Sequence, residues 1–159
     1  MFMKSIQSLC LIQSILMKTD LSNATFIIPI RIESDDRLRN VVTSIAFLVE
    51  NFDTNIIVKE VDKESVFQTE VLPIFEEILE VDLWKNFHHI FERSEEPLFH
   101  RQRVLNEMIA ECETDIVVNY DCDVILPMKS YELAYNGITE GIYDVCLLYT
   151  SDAADESVR

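Results

Sequence analysis

Two hydrophobic patterns alternate along this chain, namely short continuous apolar runs and longer stretches with helical spacing. Residues 25–30 form a continuous run rich in β-branched side chains, which predicts a buried strand. The segment Ser34-Asp35-Asp36 then offers a helix cap, and apolar residues recur at helical spacing as far as Asn51. Those apolar residues are Leu38, Val41, Val42, Ile45, Leu48 and Val49.

The same alternation continues beyond this point and predicts the class of the fold. We expect strands over residues 55–61, 86–91 and 116–120, and helices over residues 71–83 and 98–113. Strands that alternate with helices form a mostly parallel sheet with helices on both faces, joined by right-handed crossovers. The sequence therefore predicts an α/β fold of the Rossmann-like, nucleotide-binding kind.

Two aspartates follow the fourth predicted strand, where its apolar run ends. Side chains at positions i and i+2 of a strand point to the same face, so we expect Asp121 and Asp123 to converge at the end of the sheet. Open α/β sheets bind ligands outside the carboxyl ends of their strands, and one or two carboxylates hold the hard cations that carry phosphates. The spacing therefore predicts a site for a divalent cation and a diphosphate.

Composition and charge narrow the classes of ligand. The chain has 159 residues, of which 48% are hydrophobic, and this is enough for one domain or most of one. Its 29 acidic and 13 basic residues give a formal charge of −16, which argues against nucleic acid as the partner. A small anionic ligand could bind only if a divalent cation and a few arginines near the site offset repulsion by the overall negative charge of the chain.

Glycines and cysteines exclude several familiar kinds of site. Gly137 and Gly141 are the two glycines of the chain, and neither a P-loop nor a GxGxxG turn can be built from them. The four cysteines lack CxxC spacing, so neither a zinc site nor a disulfide framework is indicated. Any phosphate group must therefore be held by a metal and by side chains.

The two ends of the chain differ from its middle. Residues 1–16 are apolar but interrupted by Ser and Gln, which leaves a weak signal peptide as one interpretation. We favour a leader or read-through of untranslated sequence, with translation starting at Met17. Residues 146–159 look like one reading frame of a sequencing adapter, whereas residues 131–145 look like protein that continues into more fold. We therefore expect residues 17–145 to be the front part of a longer domain, cytoplasmic or peripheral to a membrane and without a transmembrane segment.

Three segments of the chain, taken in order, resemble a known family. They are residues 26–31 on the first strand, the acidic end of the second strand, and residues 101–106, which lead through a helix to Asp121-Cys122-Asp123. Together they resemble the nucleotide-sugar-dependent glycosyltransferases of the GT-A fold, close to family 2 and the galactosyltransferase-like members, over about residues 24–127. The resemblance implies metal-dependent transfer of a sugar, with a UDP-sugar as the expected donor, to a hydroxyl group of a glycan or another acceptor, as in polysaccharide biosynthesis.

The resemblance also implies a pocket for the base and the ribose of the nucleotide. Pro29, Arg31 and Glu33 belong to the end of the first strand and the loop after it. Glu60 and Asp62 are the carboxylates that close the second strand. In the family these two positions face the nucleotide together, so we expect all five residues to line the same pocket.

A guanidinium group is expected to face the diphosphate. Arg103 and Asn106 match family positions that face the donor from the start of the helix before the aspartates. A guanidinium at that place can meet a diphosphate through paired hydrogen bonds. Arg93 or Arg101 could take this role instead of Arg103.

The family pattern assigns different roles to the two aspartates. The first acid lies near the ribose or a metal-bound water, and the second lies on the cation. We therefore expect Asp123 to bind Mn²⁺ or Mg²⁺ directly, and Asp121 to contribute both to the metal site and to the nucleotide-sugar site. A cation there would stabilise the charge that develops on the leaving nucleoside diphosphate. The general base belongs to the family's second half, so no catalytic residue is identified.

Two other interpretations remain open. Haloacid-dehalogenase-like phosphatases also place a DxD sequence after an apolar strand, with the first aspartate as nucleophile. Their motif follows the first strand of the core and precedes Thr or Gly-Thr, whereas here it follows the fourth strand and precedes Val124-Ile125. The other interpretation is a non-catalytic nucleotide- or metal-binding module, or an acidic α/β interaction domain with incidental carboxylates.

Overall fold

A computed structural model describes residues 18–79 and 85–148, which form a parallel sheet covered by helices. The α/β class predicted from the sequence is confirmed. In chain order, the described elements are β1 (Thr19–Ile30), α1 (Asp35–Asn51), β2 (Phe52–Asp62), a π-helical turn (Phe67–Val71), α2 (Leu72–Ile78), β3 (Phe87–Arg93), α3 (Arg101–Ala110), β4 (Ile116–Asn119) and α4 (Met128–Thr139).

The four strands lie in the order β3-β2-β1-β4, and every neighbouring pair is parallel. In this register Phe26 of β1 lies between Ile56 of β2 and Val118 of β4. The chain steps outward from β1 to β2 and β3, and then returns to place β4 on the other side of β1. The exits of β1 and β4 therefore form the topological switch point of the sheet, which is where open α/β sheets bind ligands.

Helices cover both faces of the sheet, as expected. Successive side chains of β1 and β2 point to opposite faces and are buried on each, so both faces need a covering layer. Phe26 and Val58 belong to a core cluster that includes residues of α1, the π-helical turn, α2 and α4. Ile27 and Ile57 belong to a second cluster, with Met108 of α3. These two strands are buried on both faces, which explains their continuous apolar runs.

Helix α1 begins where the sequence indicates. The Ser34 Oγ accepts a hydrogen bond from the Arg37 N–H at 3.2 Å, and two acidic residues occupy the first turn, where they interact favourably with the helix dipole. Val41 and Ile45 are fully buried against the sheet. The amino-terminal turns of α1 are thereby held beside the exit of β1.

Several boundaries differ from those predicted. β1 begins at Thr19 rather than residue 25, because its first residues also pair with β2. The helix predicted over residues 71–83 starts with the π-helical turn, and its regular part ends at Ile78. Residues 80–84 lie outside the described part of the chain. β4 ends at Asn119, and α3 is shorter at both ends than residues 98–113.

The expectations about the chain ends stay predictions. Residues 140–148 follow α4 without forming a strand. The leader expected over residues 1–16 lies outside the described residues. The same is true of residues 149–159, which make up most of the adapter-like tail.

Candidate functional site

A cavity of about 150 Å³ lies at the exits of β1 and β4. Its walls come from the end of β1, the first turns of α1, the start of α3 and the loop after β4. The lining residues are Pro29, Ile30, Arg37, Asn40, Phe99, Arg101, Asp121, Cys122 and Asp123. Of the site residues predicted from the sequence, Pro29, Asp121 and Asp123 therefore line this cavity.

The two aspartates lie in a turn rather than in the strand. The last sheet contact is the hydrogen bond from the Tyr120 N–H to the Ile27 carbonyl at 3.1 Å, and the Val124 N–H then lies 3.4 Å from the Asp121 carbonyl oxygen. Strand alternation therefore does not account for the convergence of the two carboxylates. The turn brings both side chains to the same cavity, which also contains the end of β1.

Arg101 is the guanidinium that the structure brings to the aspartates. Its Nη2 donates to Asp121 Oδ1 at 2.5 Å and to Asn119 Oδ1 at 3.2 Å. The sequence offered Arg101 only as an alternative to Arg103. Arg37, from the first turn of α1, is a second positive charge on the cavity wall.

Cys122 lies between the two aspartates and also lines the cavity. Burial is the main cause that raises the pKa of its thiol to about 12. Nearby carboxylate charge adds to this rise, and the Arg37 guanidinium partly offsets it. A thiol that stays protonated is a poor nucleophile, so we assign Cys122 no covalent chemistry.

The Arg31 side chain binds backbone carbonyl groups and does not line the cavity. The side chain is buried, and its Nε donates to the Val61 carbonyl at 2.8 Å. The two Nη atoms donate to the carbonyls of Pro97 at 3.0 Å and Glu96 at 3.1 Å, and the guanidinium lies 5.5 Å from the centre of the Phe99 ring. Arg31 thus ties the segment before α3 to the end of β2.

Glu60 is fully buried beneath the π-helical turn, away from the cavity. Its carboxylate accepts hydrogen bonds from the Ser65 hydroxyl at 2.5 Å and from the Phe67 N–H at 3.1 Å. The His89 Nε2 lies 3.4 Å from Oε2, and the imidazole stacks on the Phe67 ring. Burial alone would raise the pKa of Glu60, but these polar contacts outweigh it and hold the pKa below its usual value.

Asp62 and Glu33 stand near the carboxyl edge of the sheet but outside the cavity lining. Asp62 is the last residue of β2, and its Oδ1 accepts a hydrogen bond from the Lys63 N–H at 2.7 Å. Glu33 is exposed in the loop between β1 and α1. The structure therefore places these two carboxylates at the exits of neighbouring strands, with Asp62 at the end of β2 and Glu33 in the loop after β1.

Arg103 and Asn106, the residues favoured for the diphosphate, do not line the cavity. Arg103 lies on the exposed side of α3, where it pairs with Glu92 and Glu107 at 2.7 Å each. These hydrogen bonds raise the pKa of its guanidinium above the ordinary value. Asn106 is exposed on the same helix, and Arg93 pairs with Glu95 instead.

Arg37, Asn40 and Phe99 line the cavity but were not singled out from the sequence. Arg37 and Asn40 are three residues apart on α1, so they share one side of that helix. A usable signal was the capped helix start directly after the first strand, since such a start must lie at the carboxyl edge of a parallel sheet. Phe99 carries no comparable signal, because its place depends on how the segment before α3 folds over β1.

The aspartates provide a small set of metal ligands. Within the described residues, no group of three or more His, Cys, Asp or Glu side chains is arranged to hold a metal ion. Among the side chains that the structure describes, a cation here would therefore take carboxylates from Asp121 and Asp123. That set fits Mg²⁺ or Mn²⁺ bound to a diphosphate, because these cations use one or two carboxylates and complete their shell with phosphate oxygens and water. Asp123 pairs with no described side chain, whereas Arg101 already contacts Asp121.

Comparisons with known proteins give no relative, since no protein-family model, curated protein or solved structure matches the chain. No helix within residues 18–79 and 85–148 is long and apolar enough to cross a membrane. Function must therefore be inferred from the fold and from the geometry of the cavity.

Proposed function

We propose that this chain is the donor-binding part of a metal-dependent glycosyltransferase. The cavity at the exits of β1 and β4 would take the diphosphate of a nucleotide-sugar. The main support is that Asp121 and Asp123 share this cavity with Arg37 and Arg101, at the switch point of a parallel sheet. Two carboxylates and two guanidinium groups around one small cavity suit a ligand that is itself a complex of a cation and a diphosphate.

Asp123 would hold the cation, and Asp121 would stand beside it in the same turn. When bound, Mn²⁺ or Mg²⁺ would neutralise the phosphates and stabilise the charge of the leaving nucleoside diphosphate. This neutralisation is needed because the chain has a formal charge of −16, which would repel a diphosphate without a bound cation.

Arg101 would make the direct side-chain contact to the diphosphate. Its guanidinium lines the cavity, and its hydrogen bonds go to Asp121 and Asn119. Once the Asp121 carboxylate is shared with a cation, Arg101 would turn its donors toward the phosphate oxygens, where charge-assisted bonds are strong. Arg103 is not needed for this role, since its two carboxylate partners hold it on the outer side of α3.

The nucleoside would lie along the neighbouring strand ends. Pro29 at the end of β1, Glu33 in the loop after it and Asp62 at the exit of β2 remain the residues we propose for the base and ribose. Arg31 and Glu60 would support these loops from within. UDP is the expected nucleotide, and the acceptor would offer a hydroxyl group of a glycan or another molecule.

Calorimetric titration with UDP tests this proposal directly. We expect UDP to bind when Mn²⁺ or Mg²⁺ is present and to show no measurable binding in chelator. With Asp123→Ala, adding the cation should no longer increase UDP binding, because the variant lacks the proposed direct ligand. Glu113→Ala is the matched control, since this exposed carboxylate precedes β4 at the opposite end of the sheet. Equal UDP affinity with cation and with chelator would contradict the proposal.

Activity assays separate the alternatives. Release of UDP from a nucleotide-sugar in the presence of Mn²⁺, lost in Asp123→Ala, would support the glycosyltransferase proposal. Hydrolysis of p-nitrophenyl phosphate that Asp121→Asn abolishes would instead favour a haloacid-dehalogenase-like phosphatase. Because the general base is expected in the family's second half, cation-dependent UDP binding with neither activity would fit a donor-binding part and a non-catalytic binding module equally well.

A further inference from the structure

The backbone that carries the two aspartates is held by three hydroxyl groups. Ser44 Oγ, on α1, donates to the Cys122 carbonyl at 2.6 Å. The Tyr120 hydroxyl donates to the Val124 carbonyl at 2.8 Å. The remaining contact runs the other way, as the Leu126 N–H donates to the Tyr131 hydroxyl at 3.1 Å. Hydroxyl contacts are therefore distributed along the whole segment from residue 122 to residue 126.

Ser44 occupies an unusual place for a polar residue. It is 1% exposed and lies on the buried face of α1, next to Ile45 and one turn from Val41 and Leu48. A buried hydroxyl costs free energy unless it is hydrogen-bonded, so the bond that it makes is significant. That bond goes to the carbonyl of the residue between the two carboxylates.

The two tyrosines are as well fixed as the serine. Tyr120 and Tyr131 are 6% and 4% exposed, and their hydroxyl oxygens lie 3.4 Å apart. Both rings pack against Phe26 of the central strand, with centroid distances of 5.6 Å and 6.3 Å. Packing of the rings against the core therefore fixes the positions of the two hydroxyl groups. Their hydrogen bonds in turn fix the backbone of the turn.

We propose that Ser44, Tyr120 and Tyr131 are positioning residues for the cation site. They hold the turn in the shape that directs Asp121 and Asp123 into the same cavity before a ligand arrives. This inference rests on the proposed function, since it concerns the same cation and diphosphate. Groups that orient metal ligands affect metal affinity without touching the metal, and their loss typically weakens it about 10–100-fold.

The test uses single hydroxyl deletions in the full chain. Ser44→Ala and Tyr131→Phe each remove one hydroxyl and leave the packing of the helix or ring in place. Thr43→Ala and Tyr135→Phe are matched controls from the same helices. Thr43 is exposed, and the Tyr135 hydroxyl accepts a hydrogen bond from Asn23, away from the turn.

Two quantities are measured for each variant. The first is UDP affinity at saturating Mn²⁺ and in chelator. The second is the hydrogen-exchange rate of the peptide that covers residues 121–126, with no ligand present. We expect Ser44→Ala and Tyr131→Phe to weaken Mn²⁺-dependent UDP binding about tenfold or more and to speed exchange in that peptide, with both controls like the wild type. A merely structural role would lower global stability without raising exchange selectively in this peptide.

The outcomes distinguish this inference from the proposed function. Mn²⁺-dependent UDP binding by the wild type, with equal affinities in Ser44→Ala and Tyr131→Phe, would overturn the positioning role alone. Equal weakening by the Thr43→Ala and Tyr135→Phe controls would overturn it as well, since any loss of a hydroxyl would then have the same effect. Absence of Mn²⁺-dependent binding by the wild type would overturn the proposed function and this inference with it.

Discussion

Arg101 and Asp121 form an ion pair beside the cavity at the exits of β1 and β4, with Nη2 2.5 Å from Oδ1. The two side chains are 42% and 55% exposed. Ion pairs that are this accessible to solvent contribute about 0–1 kcal/mol to folding stability. The position of the pair is therefore expected to matter more for ligand binding than for the fold.

Arg101→Gln should weaken UDP binding in the presence of Mn²⁺ by about tenfold or more, because it removes a charge-assisted contact worth about 1.5–3 kcal/mol. Its unfolding free energy should change by less than about 1 kcal/mol. Calorimetry and urea unfolding measure the two quantities. Arg103→Gln is the control, since Arg103 lies on the same helix with two carboxylate partners outside the cavity. If only Arg103→Gln weakened binding, Arg103 would regain the role that the sequence suggested.

Cation and UDP together should stabilise the folded chain. A ligand that binds only the native state at about 100 times its dissociation constant raises the unfolding free energy by about 3 kcal/mol. We expect thermal unfolding to shift upward with Mn²⁺ and UDP, and to return to its starting value when chelator is added. Asp123→Ala should show no shift under the same conditions. An upward shift of equal size in that variant would place the cation elsewhere.

Glu60 should make stability depend on pH in the acid range. Its pKa lies below the usual value of 4.5 in the folded chain, so its contribution to stability is present above that value and is lost as pH falls through the lower folded pKa. Glu60→Gln should therefore lower the free energy of unfolding at neutral pH by about 1–3 kcal/mol, because it removes the charge from a buried, hydrogen-bonded carboxylate. On acidification the unfolding free energy of this variant should fall by less than that of the wild type. Urea unfolding at neutral pH and below pH 4.5 measures the difference. The exposed variant Glu113→Gln should behave like the wild type.

Arg31→Lys should destabilise the fold, because an ammonium group cannot reproduce three N–H bonds that diverge to three carbonyls. We expect a loss of about 1–3 kcal/mol in unfolding free energy. Arg39→Lys serves as the control, since Arg39 is an exposed partner of Asp36 on α1. A full retention of stability by Arg31→Lys, together with a loss of UDP binding, would favour the nucleotide-contacting role implied by the family resemblance.

The class of the fold followed from local pattern, because each buried strand and each amphipathic helix carries its own signal. The segment Ser34-Asp35-Asp36 illustrates this, since the cap that it offers and the apolar spacing after it predict the start of α1 that the structure shows. The order of the strands carries no such signal. Whether β4 lies beside β1 or beside β3 depends on which faces pack best, so the full lining of the cavity could not be predicted.

The direction of individual side chains explains where the predicted site and the cavity differ. Glu60 follows Ile56 and Val58 at two-residue spacing, and all three are buried on the same face of β2. The two-residue spacing predicts that the Glu60 carboxylate points into the core. Its position at the end of the strand suggested instead that it lines the nucleotide pocket. The π-helical turn that covers Glu60 has a wider hydrogen-bonding pattern than an α-helix, and apolar spacing does not reveal it.

The short fourth strand has a practical consequence. β4 has four residues and, within the described sheet, pairs with β1 alone, so its outer edge presents peptide groups beside Val117, which is 37% exposed. An unpaired edge strand can pair with the edge strand of another molecule in concentrated solution, although a short one offers few peptide groups for this. We expect self-association to begin there and to crowd the neighbouring aspartate turn. Light scattering across a dilution series should therefore precede any comparison of affinities between variants.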